Sequence, residues 1–461
     1  MRNRLLVTLI LLAFGAFGGL LTMSWTHAQQ PRVLPSDLIV PDDKSTPQIA
    51  SPAEIRPVSA TPVVPKATLV TGKHKPVPFD RFRNLDALPE LTKQMVMSTQ
   101  IAMEWLHRYH QPNGLFLTGY LPAVNQPLEG DSLLYQAKAA FVLSRAAKFT
   151  GDDRYVVRAN QAILTLMTGT SVDNVSPSIR RPAQQSVVCN RLATAAFLVM
   201  AIHELPDPAA DLLAKAEELC AFLVQQQRED GSLQYVDGND NPLAIDPSGI
   251  NYYPGPALFA IALSHRVRPG NAKIDVLRKA IPYYRKRFKE HPDPNLASWM
   301  TSACTEAFLG VKDNVFAEFA FEMTDWLSSL QYEQTPDPRK PLWRGGFKVV
   351  NNGKVESAAP NLDAALYIQA IADSCRMIRQ MPTPDVERFE KYRSTAIRAL
   401  QFLSTLQFND GNTLHIAVNY RLMLVGGFHP THADGNLRVD QSAMAVSAFI
   451  QFLSSGADRS Q

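Results

Sequence analysis

The chain has 461 residues, of which 46% are hydrophobic and 19% charged, and its 46 basic and 43 acidic residues leave a net charge of +3. No run of Lys and Arg and no basic–aromatic stripe occurs, so a nucleic-acid partner is not expected. The sequence also contains no P-loop, no dinucleotide fingerprint and no serine-nucleophile elbow. We therefore expect no cofactor.

The first 28 residues are predicted to direct the chain out of the cytoplasm. A charged start (MRNR) precedes an apolar run over 5–25 and the small-residue sequence Thr26-His27-Ala28, and these are the three parts of a secretory signal peptide. We expect cleavage after Ala28 and a periplasmic or secreted protein. The apolar run is also long enough to span a bilayer, so an uncleaved anchor that tethers the protein to the inner membrane is the alternative.

Residues 29–79 are predicted to form a linker. Prolines recur densely there (PRVLPSDLIVPDD, PAEIRPVSATPVVPK, KHKPVPFD) without a helical period, which is typical of a tether with local polyproline II structure. Residues 80–457 exceed the usual size of a domain with a single compact core. A core that forms a ring is not restricted to that size. We expect one domain after the linker, and its oligomeric state is left open.

Twelve helical stretches of two alternating kinds fill this domain. The even-numbered stretches, such as LATAAFLVMAIHEL and LDAALYIQAIADS, are apolar nearly all round, which is typical of helices buried on most sides. The odd-numbered stretches, such as IDVLRKAIPYYRKRFKEH, have one apolar stripe and one charged face, so they belong on the outside. Six such pairs predict an all-α fold, an (α/α)6 toroid with an inner and an outer ring of helices.

The loops indicate which end of the toroid is functional. The turns from inner to outer helices are short, whereas five of the six returns are long, namely 111–130, 169–186, 229–253, 332–360 and 408–439. Long loops in a compact domain are usually functional or disordered. These loops contain β-like runs (SLQYVDG, FKVVNNGKVES, TLHIAVNY), so we expect them to be ordered, with short β-hairpins. The working face is therefore predicted at the N-terminal ends of the inner helices.

Four outer helices end alike. An aromatic-Leu pair leads to a Gln or His and, in three of the four, to Asn-Gly or Asp-Gly: Trp105-Leu106 to His110 and Asn113-Gly114, Phe222-Leu223 to Gln227 and Asp230-Gly231, Trp326-Leu327 to Gln331, and Phe402-Leu403 to Gln407 and Asp410-Gly411. The Gln or His side chain can satisfy orphan carbonyls at the helix end, and the glycine permits a left-handed turn.

This pattern resembles the α/α-toroid superfamily, which includes six-hairpin glycosidases and, more distantly, terpenoid-cyclase-like toroids. Gln226-Gln227 followed by Asp230-Gly231-Ser232 is the nearest match to the recurring turn of the latter group. The resemblance covers everything after the linker, and it implies the architecture without specifying an activity. The acidic DxDD cluster of a protonating terpene cyclase is absent, which disfavours that branch.

Three aspartates at the starts of inner helices are the candidate catalytic residues. Asp131 opens the second helical stretch, Asp363 the tenth and Asp440 the twelfth. Capping of the helix N-terminus is one interpretation of each. The functional interpretation is a carboxylate that points into the mouth as an acid or base, with Glu129 behind Asp131.

The segment around Asp440 contains the densest set of candidate binding residues. Arg438 and Gln441 flank Asp440, and Arg438 either pairs with it or donates to a sugar hydroxyl or carboxylate. Phe428 and His429 precede them in Gly426-Gly427-Phe428-His429. Because Gly345-Gly346-Phe347 precedes Asp363 in the same way, we expect the two Gly-Gly-Phe segments to be equivalent elements of the ring.

Four further aromatic residues are predicted to contact substrate: Tyr252, Tyr253, Trp299 and Trp343. Aromatic rings at the mouth would serve as sugar platforms, although the two tyrosines also suit a structural role ahead of their helix. Glu306 is an acid inside an apolar helix, so it needs a partner or a raised pKa.

No metal site is expected. His429, His432 and Asp434 have an H-x-x-H-x-D spacing, but no fourth ligand is indicated. The four cysteines, Cys189, Cys220, Cys304 and Cys375, lack any CxxC spacing, so we expect buried thiols. A disulfide between Cys189 and Cys220 is the alternative, because an oxidising compartment would permit it.

These features predict an exported carbohydrate-active protein whose partner is a polysaccharide or oligosaccharide. The main hypothesis is a glycan hydrolase with paired carboxylates in the toroid mouth. A uronic-acid lyase or epimerase, with Arg438 on the sugar carboxylate and Tyr253 or a histidine in proton transfer, is one alternative. The other is a non-catalytic toroid that binds glycan or protein, in which the acids serve only as helix caps.

Overall fold

Six outer/inner pairs of helices form the main part of the protein that the structure describes. A computed structural model describes residues 76–130, 132–174, 176–183, 190–236, 248–351 and 353–460. The predicted signal peptide and all but the last four residues of the predicted linker lie outside these ranges, as do Asp131 and Cys189. No helix in the described ranges is both long enough and apolar enough to cross a membrane.

Twelve of the fourteen helices in the described ranges alternate between the two kinds that the sequence predicts. In chain order the fourteen are α1 (Glu90–Tyr109), α2 (Leu133–Thr150), α3 (Asp153–Met167), α4 (Arg191–His203), α5 (Ala210–Gln225), α6 (Gly249–Tyr252), α7 (Pro254–Val267), α8 (Asn271–Glu290), α9 (Pro294–Val311), α10 (Asn314–Ser329), α11 (Ala364–Arg379), α12 (Val386–Thr405), α13 (Val418–Leu424) and α14 (Val439–Ser455). The other two, α6 and α13, are short helices in the long loops. Short 3-10 helices cover Pro78–Phe82, Leu85–Ala87 and Pro341–Trp343.

The inner ring consists of α2, α4, α7, α9, α11 and α14. Each packs against the next, and α14 packs against α2, so the ring closes. Every residue of α4 after Arg191 is buried, as expected for a helix without a polar face. By contrast, the outer helix α3 buries a single stripe that includes Tyr155, Ala159 and Ile163. The predicted (α/α)6 toroid is confirmed.

Aspartates at the short turns fix where outer helices begin. Asp152, Asp313 and Asp385 each precede an outer helix and accept a hydrogen bond from a backbone N–H of its first turn. Such caps satisfy donors that have no partner within the helix. The turn before α3 also uses Gly151 at φ +66°, a left-handed conformation that glycine adopts without strain.

Short strands lie in the long loops, as predicted. They are β1 (Gly119–Leu121), β2 (Gln126–Pro127), β3 (Thr170–Val172), β4 (Arg180–Pro182), β5 (Val349–Asn351), β6 (Lys354–Glu356) and β7 (Leu437–Arg438). Antiparallel pairing joins β2 to β1 and β1 to β7, and β3–β4 and β5–β6 are separate hairpins.

The three β-like runs have different outcomes. FKVVNNGKVES contains the hairpin β5–β6, so that prediction is correct. The described part of SLQYVDG forms one isolated bridge, between Gln227 and Leu233. The prediction for TLHIAVNY is wrong, because this segment consists of turns followed by the start of α13. Trp105 and Tyr109 of α1 both donate to the carbonyl of Met423 near the end of α13, and this tertiary contact favours the helix.

Three of the four repeated ends of outer helices have one geometry. The prediction is wrong for the fourth, because His110 contacts Arg158 through Nδ1 and its Nε2 has no hydrogen-bond partner among the described residues. The amide of Gln227 donates to the carbonyl of Gly231 in its own loop and to that of Val276 on α8. Gln331 bonds in the same way to Gly345 and to Thr395 on α12. Gln407 bonds to Gly426 and to Ser98 on α1. Each glutamine therefore clamps the end of one outer helix to the next outer helix in the ring.

The glycines in these clamps allow close contact between the loops and the neighbouring helices. Gly231, Gly345 and Gly426 have φ values of +91°, +85° and +100°, and a Cβ on any of them would clash with a backbone carbonyl of the neighbouring helix. Because Gly345 and Gly426 have the same role, the two Gly-Gly-Phe segments are equivalent elements of the ring, as predicted.

Buried charges connect the inner helices. Glu306 on α9 accepts hydrogen bonds from Arg266 and Arg376, on α7 and α11. Burial acts to raise the pKa of Glu306, but the two arginines outweigh it and hold the pKa below its usual value. This acid thus has the partners that its apolar helix requires.

Candidate functional site

A cavity of about 290 Å³ lies at the N-terminal ends of the inner helices. All six inner helices contribute residues from their first two turns: Leu134, Tyr135 and Lys138 from α2, Ala193 and Phe197 from α4, Pro256 from α7, Asn295 and Trp299 from α9, Ala365 and Leu366 from α11, and Asp440, Gln441 and Met444 from α14. Tyr252, Tyr253, Leu362, Asp363 and Arg438 complete the lining. The long loops therefore do lead to a concave site, which we call the main cavity.

Asp363 immediately precedes α11 but does not cap it. Its carboxylate accepts no backbone hydrogen bond from the first turn of the helix, and Asn361 donates to it from 3.1 Å. The turn that carries Asp363 is held by the N–H of Leu362, which donates to the carbonyl of Pro430 at 2.9 Å. Asp363 is thus positioned by a neighbouring loop and remains available to a ligand.

The pKa of Asp363 is raised above its usual value. The residue is exposed to solvent at the mouth of the cavity. Desolvation at this site is the largest influence on the pKa and raises it. The hydrogen bond from Asn361 and the positive charges of Lys138 and Arg438 act in the opposite direction but do not compensate. Asp363 therefore holds its proton at a higher pH than an ordinary aspartate.

Asp440 forms the centre of an ion cluster. Its two oxygens accept from Nε and from a terminal nitrogen of Arg438, at 2.6 and 3.2 Å. The Lys138 ammonium lies 3.6 Å away. The Asp440 side chain is only 2% exposed, and it forms no cap in the first turn of α14. Of the two interpretations of Arg438, the structure shows the pairing with Asp440.

Arg438 is oriented from two further directions. Its guanidinium lies over the ring of Tyr135, 4.6 Å from the ring centre, at a distance typical of a cation–π contact. Its backbone belongs to β7, where it pairs with Gly119 of β1. A Cβ on Gly119 would clash with the carbonyl of Leu437, so the close approach of the two strands needs this glycine.

Aromatic rings form part of the wall of the main cavity. Tyr252 is 44% exposed, and the rings of Tyr252 and Tyr253 are 6.5 Å apart. Trp299 is 5% exposed and packs edge-on against Phe197. These rings provide apolar surface of the kind that contacts the faces of a sugar.

Several predicted site residues lie elsewhere. Glu129 is exposed and Phe428 is fully buried against Phe449. His429 bonds through Nδ1 to the carbonyl of Thr431, and Trp343 stacks with Tyr332. None of these four lines the main cavity. Asp131 lies outside the described residues, so its role stays a prediction.

Phe428 and its neighbours instead support the site. The backbone of Phe428 exchanges two hydrogen bonds with the hydroxyl of Ser442 on α14. Two residues further on, Pro430 holds the turn of Asp363. This segment therefore connects the elements that carry Asp363 and Asp440.

Four lining or adjacent residues were missed from the sequence: Tyr135, Lys138, Asn295 and Tyr367. Tyr367 follows Asp363 by four residues, and Lys138 follows Tyr135 by three. Residues at these spacings share one face of a helix. A polar or aromatic residue about one turn into an otherwise apolar helix is a signal that could identify Lys138 and Tyr367, whereas Tyr135 and Asn295 stand in the first turn and have no such signal.

The described residues contain no cluster of three or more His, Cys, Asp or Glu side chains able to hold a metal ion. His432, one of the residues with metal-like spacing, bonds to the hydroxyl of Thr405. Cys220, Cys304 and Cys375 are buried free thiols, and burial raises the pKa of Cys220 to about 11. The proposed partner of Cys220, Cys189, is not among the described residues.

No protein-family model matches the sequence, and no curated protein matches it. Solved structures do match. An unsaturated glucuronyl hydrolase specific for heparin is 13% identical over 78% of this chain and 96% of its own, with a TM-score of 0.54. An inactive variant of the α-1,6-mannanase GH76A of Salegentibacter sp. HEL1_6, in complex with α-1,6-mannotriose, is 12% identical over 78% and 99%, with a TM-score of 0.54. A D-mannose isomerase is 11% identical over 79% and 99%, with a TM-score of 0.56.

The chain therefore shares the (α/α)6-toroid fold of these structures. At these identities the likeness concerns the fold alone, because one fold supports many activities.

Proposed function

We propose that this protein is a carbohydrate-active enzyme that hydrolyses a glycosidic bond in the main cavity, with Asp363 as the general acid. The observation that supports this role most is that Asp363 faces the cavity, is not used as a helix cap, and has a raised pKa. Glycosidases of the two-carboxylate type need an acid of this kind to protonate the leaving-group oxygen. The structural neighbours named above act on carbohydrates, which fits the proposal.

The role proposed for Asp440 is different. Because both of its oxygens are paired with cations, we assign it the positioning of Arg438 and Lys138, which line the cavity and can donate to sugar oxygens. The second carboxylate of the reaction, which activates water or attacks the sugar, is proposed to be Asp131, on the sequence argument alone.

The alternatives are less well supported. A uronic-acid lyase or epimerase would need Arg438 for the substrate carboxylate, but two of its nitrogens already bind Asp440. Of the two candidates for proton transfer, Tyr253 lines the main cavity, whereas no histidine does so among the described residues. A non-catalytic toroid would leave the acids as helix caps, and neither Asp363 nor Asp440 caps its helix.

A screen of oligosaccharide ladders tests the proposal. The ladders would contain one to four units of manno-, xylo-, cello- and chito-oligosaccharides and of oligogalacturonate, with products detected by chromatography. We expect at least one ladder to be hydrolysed, and we expect Asp363→Asn and Asp131→Asn to abolish that turnover. Gln401→Asn, on the exposed face of α12, is the matched control and should retain full activity. Turnover that survives Asp363→Asn would refute the acid role.

Export from the cytoplasm is also proposed, on the basis of the signal-like first 28 residues. Full-length protein expressed in a Gram-negative host should be recovered from the periplasm, and N-terminal sequencing should begin at Gln29. A full-length product in the membrane fraction would indicate the uncleaved anchor instead.

A further inference from the structure

A second cavity of about 210 Å³ adjoins the main cavity. The hairpin β5–β6 contributes Val349, Val350 and Asn351 to its wall, so we call it the hairpin cavity. Tyr252, Asn295 and Asp363 line both cavities. The two spaces therefore meet at Asp363, and this acid stands at their junction.

The hairpin cavity offers hydrogen-bonding groups without partners. The hydroxyl of Tyr367 and the side-chain amide of Asn295 have no hydrogen-bond partner among the described residues, and the half-buried Lys348 makes no ion pair with any of them. Burial raises the pKa of Tyr367 well above its usual value, so its hydroxyl stays protonated and able to donate. Sugar hydroxyls are suitable partners for such groups.

Asp293, the other acid in this wall, is already occupied. One of its oxygens caps α9 by accepting from the N–H groups of Asn295 and Leu296. The other accepts from the side chain of Asn251 at 3.1 Å. Asp363 is therefore the acid at this junction that remains available for a reaction.

We propose that the hairpin cavity is a second sugar subsite, so that the substrate is an oligosaccharide whose scissile bond lies at Asp363 between the two cavities. The inference rests on the proposed hydrolysis, because a general acid must stand beside the oxygen that joins two sugars. Each cavity alone is below the range of about 300–1,000 Å³ that is usual for ligand sites, whereas the two together fall within it. The proposal requires a substrate of at least two sugar units.

Binding of the oligosaccharide ladders by calorimetry, with the full chain carrying the inactivating Asp131→Asn substitution so that no ladder is consumed, tests this subsite. We expect the affinity of the bound ladder to rise at least tenfold from one unit to two. Lys348→Ala and Tyr367→Phe should each reduce that gain at least fivefold and change the affinity for the single unit less than twofold. Lys354→Ala, on the exposed outer strand of the same hairpin, is the control and should leave both affinities unchanged.

The outcomes separate this inference from the proposed function. If no ladder binds, if two units bind no tighter than one, or if the gain persists in both variants, the second subsite is refuted. A gain that depends on Lys348 and Tyr367 without hydrolysis of any ladder would support the subsite and overturn the hydrolase proposal alone. If a single-sugar aryl glycoside is hydrolysed but two sugar units bind no tighter than one, the hydrolase proposal is supported and the second subsite is refuted.

Discussion

The side-chain amide of Gln407 donates to the backbone carbonyl of Ser98 at 3.0 Å, across 309 residues of sequence. The hydroxyl of Ser98 returns a hydrogen bond to the Oε1 atom of Gln407 at 2.8 Å. Ser98 lies on the first outer helix and Gln407 follows the last one, so this reciprocal pair closes the outer ring. The same type of clamp at Gln227 and Gln331 joins outer helices that are neighbours in sequence.

Replacing Gln407 should therefore weaken the closed ring. We expect Gln407→Leu to lower the free energy of unfolding by about 1–3 kcal/mol, because it removes the hydrogen bonds to Ser98 and leaves the buried carbonyl of Gly426 without the donor it has in the clamp. Urea denaturation followed by circular dichroism would measure the change. Gln401→Leu, on the exposed face of the same helix, should stay within about 0.5 kcal/mol of the parent. An equal loss in both variants would show that the clamp has no special role.

Asp363→Asn should preserve stability while it removes activity. A carboxyl whose pKa is raised in the folded state contributes stability at low pH, and that contribution is lost as the pH rises through the folded pKa. Above its raised pKa the ionised Asp363 no longer makes this contribution, and an uncharged asparagine should leave the melting temperature unchanged or higher. Asp385→Ala removes a true cap and should cost about 0.5–2 kcal/mol. A clear loss of stability in Asp363→Asn would indicate a structural role.

The pH dependence of turnover should follow the charge next to Asp363. A general acid works only while it is protonated, so kcat/KM should fall as the pH rises through the pKa of Asp363. Lys138 lowers that pKa, so Lys138→Met should shift the alkaline limb to higher pH. Lys215→Met, on the outer helix α5, should leave the profile unchanged. An alkaline limb that stays in place would show that another group controls it.

Stability in mild acid should depend on His203. Burial lowers its pKa to about 4, and both ring nitrogens are buried without a hydrogen-bond partner among the described residues. Because the folded state binds the proton less readily than the unfolded state, this contribution is present above about pH 6.5 and is lost as the pH falls towards 4. The loss amounts to about 3 kcal/mol for a shift of this size.

The variant His203→Leu should flatten the decline in stability between pH 6.5 and 4, as measured by urea unfolding at each pH. His415→Leu, at an exposed position, should parallel the parent. Parallel declines in the parent and in His203→Leu would place the acid sensitivity elsewhere.

The architecture was predictable because the spacing of apolar residues along each helix indicates which of its faces are buried. Helices such as α4 that lack any polar face must be inside, and the lengths of the returns from outer to inner helices indicate which end carries the mouth. Asp363, Arg438, Asp440 and Gln441 do line that mouth, since they stand at the starts of inner helices.

The remaining parts of the site depend on contacts that the sequence does not encode locally. Whether Asp440 faces substrate or Arg438 is decided by the pairing of β7 with β1, a contact between segments more than 300 residues apart. Tyr367 and Lys138 lie within helices, and their direction depends on the helix phase. Phe428 belongs to a Gly-Gly-Phe motif that precedes Asp440 in the sequence. Its side chain packs in the core, and its backbone bonds to Ser442 on the helix that carries Asp440.

The ion pair between Arg81 and Asp458, with two nitrogen–oxygen distances of 2.7 Å, brings the segment ahead of the first helix against the end of the last. The ring can therefore close only after the final helices have been synthesised, because the first helix packs against the last one. Contacts of such large sequence separation slow folding. The same proximity makes this toroid a natural subject for circular permutation, in which the chain is joined between the neighbourhoods of Arg81 and Asp458 and new termini are opened in one of the short turns between inner and outer helices.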